Sequence, residues 1–365
     1  MSRRADDNLV AGRRVDEWMA DAAALTGGTF PHPNPRVGAI VLSAAGRVVG
    51  QAAHRGAGRA HAEVAALDAA GDAARGGTLI VTLEPCSHHG RTPPCVAAIL
   101  ASGVTTVVAG ATDPDDRVSG AGFTQLESAG ISVLRDAAVA TTVASDPAYF
   151  HHRRTGRPFV TVKTAVTIDG QVAAADGSSR WITSPEARRD GHALRAEADA
   201  VMIGAGTLRA DDPALTVRRN DYSGPQPLPV VVAGETRLPE TAALWERSPL
   251  IYRTRIHGDE PATCEVIVTG GAGDVDPAGV LKDLGSRQVL GVLVEGGPKL
   301  IRSLVTAGAV DRWVLYVGSK LAGGTGMSPV AGTFATIGDA AAMRLESVSR
   351  VGPDARMTYV PAEAV

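Results

Sequence analysis

A single histidine and two widely spaced cysteines constrain this chain more than any other feature. His61-Ala62-Glu63 is followed by Pro85-Cys86 and then by Pro94-Cys95. Zinc favours tetrahedral nitrogen and sulfur ligation, and a catalytic zinc keeps one position open for water. A fold that uses His61, Cys86 and Cys95 together must bring three separate segments to one point. Glu63 then stays off the metal and can move protons between water and a departing nitrogen, as hydrolytic deamination needs. Two thiolates cancel the charge of Zn2+ and a neutral imidazole adds none, so the open position stays reactive.

The local sequence says how the three ligands are presented. Pro85 and Pro94 pre-set φ, and proline is favoured in the first turn of a helix. If each cysteine opens a helix, free N–H groups and the helix dipole would stabilise its thiolate. His61 and Glu63 begin the apolar run His61 to Leu67, which places them near another helix start. Two blander readings compete. The cysteines could be small buried apolar residues, or the zinc could be structural and closed by a fourth ligand from His88 or His89.

Strands and helices alternate along the first half. A helix is expected over Val15 to Leu25, ended by Gly27-Gly28. A hairpin follows over Val37 to Leu42 and Val48 to Ala53, then a helix from His61 to Ala74. A strand from Thr78 to Leu83, a helix from Pro94 to Ala101 and a strand from Val104 to Ala109 complete a three-layer α/β/α pattern. Ligands from strand ends and helix starts meet at the carboxyl edge of such a sheet. Asp146 to Pro158, with its run His151-His152-Arg153-Arg154, reads as a solvated junction. The division expected is 1–150 and 151–365.

The second half starts a new α/β pattern at Phe159, with no internal repeat to link it to the first. Two apolar strands run into glycine turns: Ala200 to Ile203 before Gly204-Ala205-Gly206-Thr207, and Gly291 to Val294 before Glu295-Gly296-Gly297-Pro298. Such turns let backbone N–H groups approach a phosphate at a helix start. Neither matches G-x-G-x-x-G with an acidic residue about twenty positions on, which argues against a Rossmann domain.

Bulk properties narrow the partners. The chain has 365 residues, enough for two cores, and 44% hydrophobic residues. Aromatic residues make up only 4% and the net charge is -3, which disfavours a nucleic acid as partner. Small phosphorylated ligands remain compatible through local arginines. The third cysteine, Cys264, reads as a free buried thiol. With no disulfide framework, no apolar run of membrane-spanning length and no signal-peptide pattern after Arg3-Arg4, the chain reads as cytoplasmic. Residues up to about Arg13 read as a mobile tail.

The segment Thr82 to Cys95, with its long insert Ser87-His88-His89-Gly90-Arg91-Thr92-Pro93, closely resembles the deaminase half of the bifunctional riboflavin-biosynthesis deaminase/reductase family. His32-Pro33-Asn34-Pro35-Arg36-Val37-Gly38 is similar to that family's substrate-binding segment. Asp169-Gly170, Trp181 to Asp190, Ala210 to Arg218 and Val294 to Pro298 resemble its reductase half. The likeness spans almost the whole chain, in the family's order. It departs at Asp113-Pro114-Asp115-Asp116, where the family commonly has D-P-N-P, so Asp115 is expected to meet substrate differently. It also departs at Thr167-Ile168-Asp169-Gly170, where S-L-D-G is common.

The resemblance implies an N-terminal cytidine-deaminase-like α/β/α domain and a C-terminal dihydrofolate-reductase-like α/β domain. It implies zinc on His61, Cys86 and Cys95, proton transfer by Glu63, and Asn34 as a substrate contact. It carries dinucleotide contacts onto Ala165, Trp181, Thr207, Asp211, Gly297, Pro298 and Lys299. Substrate contacts fall on Ser179, Arg195, Leu215, Arg218 and Glu295. Arg195 and Arg218 suit a ribose phosphate, since guanidinium pairs bidentately with its oxygens; solvated charge is the plain alternative. Lys163 and Asp169 fit either a role near the sugar or a structural salt bridge. The reactions implied are deamination of 2,5-diamino-6-(5-phosphoribosylamino)pyrimidin-4(3H)-one and NADPH reduction of the ribosyl side chain of the resulting uracil. Partners are then phosphorylated pyrimidines, with copies of the chain itself if it oligomerises. A nucleic-acid-editing deaminase is opposed by the long cysteine insert and the second domain. A regulatory metal protein is opposed by the intact Glu63.

Overall fold

The computed structural model describes residues 9–89, 92–271, 274–324 and 326–362. The chain divides into two compact units, Met1–Thr155 and Gly156–Val365. No helix among the described residues is long and apolar enough to cross a membrane.

In the first unit a short hairpin of β1 (Leu9–Val10) and β2 (Arg13–Arg14) precedes α1 (Val15–Ala24). Of the expected tail, residues 1–8 lie outside the described residues, whereas 9–13 belong to this hairpin. The indole N–H of Trp18 donates to the Val10 carbonyl (2.9 Å), and the Arg13 guanidinium covers the same ring. Then come β3 (Gly38–Leu42), β4 (Val48–Ala53), α2 (Ala62–Ala70), β5 (Thr78–Leu83), α3 (Cys95–Ser102) and β6 (Thr106–Ala111). The unit closes with α4 (Ala121–Ser128), β7 (Ser132–Leu134), α5 (Val139–Ser145) and α6 (Pro147–Thr155).

Its sheet has the order β4-β3-β5-β6-β7, with β3 antiparallel to both neighbours and β5, β6 and β7 parallel. Ile40, Leu42, Ile80 and Val108 meet Val15, Met19 and Ala22 of α1 on one face. The opposite face takes α2, through Gly50. A Cβ there would stand 2.1 Å from the Ala66 carbonyl oxygen, so only glycine admits the helix. The expected three layers are therefore present. The expected solvated junction is instead mostly the helix α6, because Tyr149, Phe150 and His152 turn inward and are buried while the arginines cover them.

The second unit contains β8 (Phe159–Val166), α7 (Pro185–Glu197), β9 (Ala200–Gly204), α8 (Ala205–Asp211), β10 (Leu228–Val232), β11 (Leu250–Arg253) and β12 (Glu265–Val268). It continues through α9 (Pro277–Ser286), β13 (Gly291–Val294), α10 (Pro298–Thr306), β14 (Arg312–Val317), β15 (Met343–Val351) and β16 (Asp354–Pro361). The sheet order is β12-β11-β10-β9-β13-β8-β14-β16-β15; it is parallel from β12 to β14 and ends in an antiparallel hairpin. Strands buried on both faces read as unbroken apolar runs, as Ala200–Ile203 and Gly291–Val294 do. Val160, Val162, Met202, Val292 and Val294 pack with Leu281 and Leu284 of α9 and Leu300 and Leu304 of α10. Val201, Ile203, Val231 and Ile251 face the other way, onto Leu208 of α8 and Leu244. β9, β13 and β8 lie side by side, so their carboxyl ends put Gly204, Glu295 and Ala165 along one edge of the sheet.

Candidate active sites

In the first unit, one ligand atom each from His61, Cys86 and Cys95 lies within 4.8 Å of the others. His61 is the N-cap of α2, and Cys95 is the first residue of α3 after Pro94. Cys86 does not open a helix: it lies in the irregular segment that β5 delivers. Its thiolate is served by the N–H of Cys95, 3.4 Å away, so one helix start supports both sulfurs. His61 Nδ1 is 3.1 Å from Cys95 Sγ and 3.5 Å from Cys86 Sγ, and the sulfurs are 3.5 Å apart. Tetrahedral zinc, with bonds of about 2.0–2.3 Å, holds such atoms roughly 3.6–3.8 Å apart. The donors therefore fit zinc after a shift of a few tenths of an ångström. Nε2 of His61 faces Thr92 Oγ1 at 3.3 Å, leaving Nδ1 as the ligating nitrogen.

The electrostatics also suit a cation. Hydrogen bonds, first from Cys95 and then from His61, pull the Cys86 thiol down to about 4. That thiolate, with burial and Glu63, pushes the Cys95 thiol up. Two thiolates at this distance repel unless a divalent ion lies between them. His61 is raised, chiefly by its hydrogen bond to Cys86. Glu63 is only 4% exposed, and burial raises its carboxyl above the ordinary value. His88 and His89 are exposed and outside the cluster, so among the described residues no fourth protein ligand closes the site.

Around this centre, sequence reasoning missed several supports. His54 is buried and bonded to Asn34 and to the Ala60 carbonyl. Glu84 accepts backbone N–H groups from Asp113 (3.3 Å), Gly120 (2.9 Å) and Gly122 (3.0 Å), latching the segment after β6. Burial raises Asp113 to about 6, although Tyr149 of α6 donates to it at 2.9 Å. Asp146 accepts from the Arg36 N–H and lies 3.2 Å from His32 Nε2. Asp115 meets Arg117 at 2.9 and 2.5 Å and falls to about 2, the Arg117 hydrogen bond leading. An aspartate in place of asparagine is thus neutralised locally.

In the second unit, Glu295 follows β13 and receives both Nε and Nη2 of Arg195, at 2.6 and 2.7 Å. Arg195 Nη1 donates to the Thr216 carbonyl at 2.8 Å. Three of the five Arg195 N–H groups are thus committed to protein acceptors, and two remain for a phosphate. Burial opposes ionisation of Glu295, but Arg195 draws its carboxyl down to about 2. Arg218 is exposed, and its side chain has no ion pair among the described residues. Its backbone N–H donates to His192 Nδ1 (3.3 Å). Burial first, then Arg195 and Arg218, lower His192 to about 4, a neighbour that sequence reasoning did not single out. Leu215 is buried at a φ of 52°, turning the chain between Arg195's partner Thr216 and Asp212.

The glycine turns meet. The Gly204 N–H donates to the Gly296 carbonyl at 2.9 Å, and a Cβ on Gly297 would be 3.1 Å from Thr207 Oγ1. Gly297 caps α10, with Pro298 in its first turn and Lys299 exposed. This open cradle fits a dinucleotide phosphate. Trp181 is 57% exposed beneath Arg188, 4.2 Å from its ring centre, while Arg180 reaches the Asp211 carbonyl at 2.9 Å. Ser179 is half-buried nearby in sequence, and Ala165 is half-buried near the end of β8. Lys163 lies 5.9 Å above the Tyr316 ring. Asp169 instead accepts from Thr167 and from the N–H groups of Ala322 and Gly323, pinning two loops.

Residues 158–357 match the family described as RibD C-terminal domain, and residues 13–111 match the cytidine and deoxycytidylate deaminase zinc-binding region. The riboflavin biosynthesis protein RibD of Escherichia coli (strain K12) is 36% identical, over 94% of this chain and 99% of that protein. Its namesake in Mycobacterium tuberculosis (strain CDC 1551 / Oshkosh) is 41% identical over 97% and 99%. The solved structure of Acinetobacter baumannii RibD, form 1, superposes with a TM-score of 0.87 at 31% identity, covering 96% of this chain and 99% of that one. A diaminohydroxyphosphoribosylaminopyrimidine deaminase/5-amino-6-(5-phosphoribosylamino)uracil reductase from Thermotoga maritima also gives 0.87, at 30% identity over 95% and 99%.

Proposed function

This chain belongs to the RibD family of riboflavin-biosynthesis enzymes, and we propose that its first unit carries the deaminase chemistry and its second the reductase chemistry. It is a zinc-dependent hydrolytic deaminase and an NADPH-dependent reductase. The observation that carries the residue assignment is the convergence of His61, Cys86 and Cys95 beside the buried Glu63.

His61 Nδ1 and the two thiolates would hold zinc, which would lower the pKa of water and so supply a nucleophile at neutral pH. Glu63 takes the proton that the attacking water loses and returns it to the departing 2-amino nitrogen, which leaves as ammonia. Burial raises its carboxyl, which favours the protonated form that it reaches between the two halves of that transfer. Asn34 contacts the pyrimidine. Three backbone hydrogen bonds on Glu84 and the α6 contacts keep the surrounding loops in place.

In the second unit, Gly297, Pro298, Lys299 and Thr207 cradle the dinucleotide, with Ala165, Trp181 and Asp211 completing its contacts. Bound there, NADPH would supply a hydride to the ribosyl carbon, and a proton from solvent would complete the two hydrogens gained. Arg218, with Ser179 and Leu215, holds the phosphorylated substrate. Arg195 acts through Glu295, fixing its carboxylate and the Thr216 backbone. The protein's contribution there is geometry and an anchored phosphate. Cysteines used as metal ligands rather than in disulfides support a reducing cytoplasm.

Incubation with the diaminopyrimidine substrate tests the reading. Without NADPH the product should show an amino group replaced by oxygen. With NADPH it should also gain two hydrogens. Unchanged substrate under both conditions would exclude the assignment.

A further inference from the structure

His54 joins the proposed metal ligand to the proposed substrate loop, yet belongs to neither ligand set. It is 3% exposed. Its Nδ1 is 3.1 Å from the Ala60 carbonyl oxygen and its Nε2 is 3.1 Å from Asn34 Nδ2. Its ring stands edge-on to that of His61, with centres 5.1 Å apart. A carbonyl only accepts, so Nδ1 carries the proton; in a neutral ring Nε2 is then a bare acceptor. It meets the N–H end of the Asn34 amide and turns Oδ1 away. Without that contact the amide could rotate by half a turn and offer its donors instead. The Asn34 backbone is itself pinned by its N–H to the Pro31 carbonyl, at 3.0 Å. Among the described residues, nothing donates to Asn34 Oδ1.

We infer that His54 is a positioning residue that fixes the Asn34 amide with its oxygen as the free acceptor, selecting a pyrimidine that presents an N–H donor edge. The chain of dependence runs from the backbone before His61, through one imidazole tautomer, to one oxygen. The same ring thus couples the residue preceding a metal ligand to the recognition of substrate. This inference rests on reading Asn34 as a substrate contact.

Two substitutions in the full-length zinc-loaded enzyme separate the two ends of the imidazole. His54→Gln can place an amide oxygen where Nε2 was, keeping an acceptor for Asn34. His54→Asn can keep a donor near Nδ1 for the Ala60 carbonyl but loses Asn34. Zinc content should be equal in both. The KM for ammonia release should stay within about threefold of wild type in the glutamine variant and rise about tenfold in the asparagine variant, the effect of one lost hydrogen bond. An equal rise in both, or the reverse order, would overturn the inference. Ammonia release by the wild type reports separately on the deaminase reading. If the variants unfold, nitrogen NMR of the wild-type imidazole decides: a protonated Nδ1 and bare Nε2 are expected, and a bare Nδ1 refutes the proposal.

Discussion

Glu295→Gln isolates the ion pair that anchors the reductase site. The two side chains are each 12% exposed and share two hydrogen bonds. Burial alone would raise the Glu295 carboxyl, yet Arg195 brings it from an ordinary 4.5 to about 2. At 1.36 kcal/mol per pKa unit this amounts to about 3 kcal/mol. An independent argument gives a similar size, since stranding one member of a buried pair costs about 3–5 kcal/mol. Because the folded pKa is depressed, the stabilisation is complete above the unfolded value and is lost as pH falls through the folded one. The variant should thus lose about 3 kcal/mol at pH 7, and the gap should close between roughly pH 4.5 and 2. Trp18 is the one tryptophan in the first unit, so in a Trp18→Phe background the fluorescence of Trp181, Trp245 and Trp313 reports on the second alone. Urea titrations followed this way measure the difference. A loss below about 0.5 kcal/mol at pH 7 would mark the pair as an ordinary surface bridge. A loss that persists undiminished at the acid end would show that its origin is not electrostatic.

Four further outcomes are expected. Cys86→Ser and Cys95→Ser should each lose zinc on metal analysis, and full retention in both would refute the ligand set. Glu63→Gln should keep zinc but lose ammonia release by about 10²-fold or more, because an amide cannot carry the proton; near-normal turnover would remove Glu63 from the mechanism. Arg218→Ala should raise the reductase KM for the phosphorylated substrate about tenfold while leaving NADPH affinity in place; weaker NADPH with unchanged substrate would reverse the subsites. Gly297→Val should do the opposite by filling the cradle against Thr207, read as NADPH affinity by fluorescence, and unchanged affinity would exclude that turn.

The zinc centre was legible in the sequence because metal ligation restricts residue types so strongly. The two-unit α/β organisation was legible because buried strands leave unbroken apolar runs. What could not be read was pairing at long range. Arg195 and Glu295 lie a hundred residues apart, and each alone resembles a substrate contact; only the fold shows that they neutralise each other. Helix α6 was hidden for a different reason. Its string His151-His152-Arg153-Arg154 looks solvated, but at helical spacing Tyr149, Phe150 and His152 form an inward face. Pro85 left open whether Cys86 starts a helix, because the φ that proline imposes also suits extended chain.

Both candidate sites depend on carboxyl ends of strands, but each steadies its backbone differently. At the zinc centre, thiolates attract positive charge, so the surroundings can be held by buried carboxylates accepting backbone N–H groups, as Glu84 and Asp146 do. Beside the reductase cradle an unpaired carboxylate would repel a phosphorylated ligand. Glu295 can serve there because Arg195 cancels its charge at contact distance, and Arg218 is left as an exposed cation. The pair therefore supplies rigidity without a net charge, and on the proposed reading the exposed Arg218 is the group that meets the substrate phosphate.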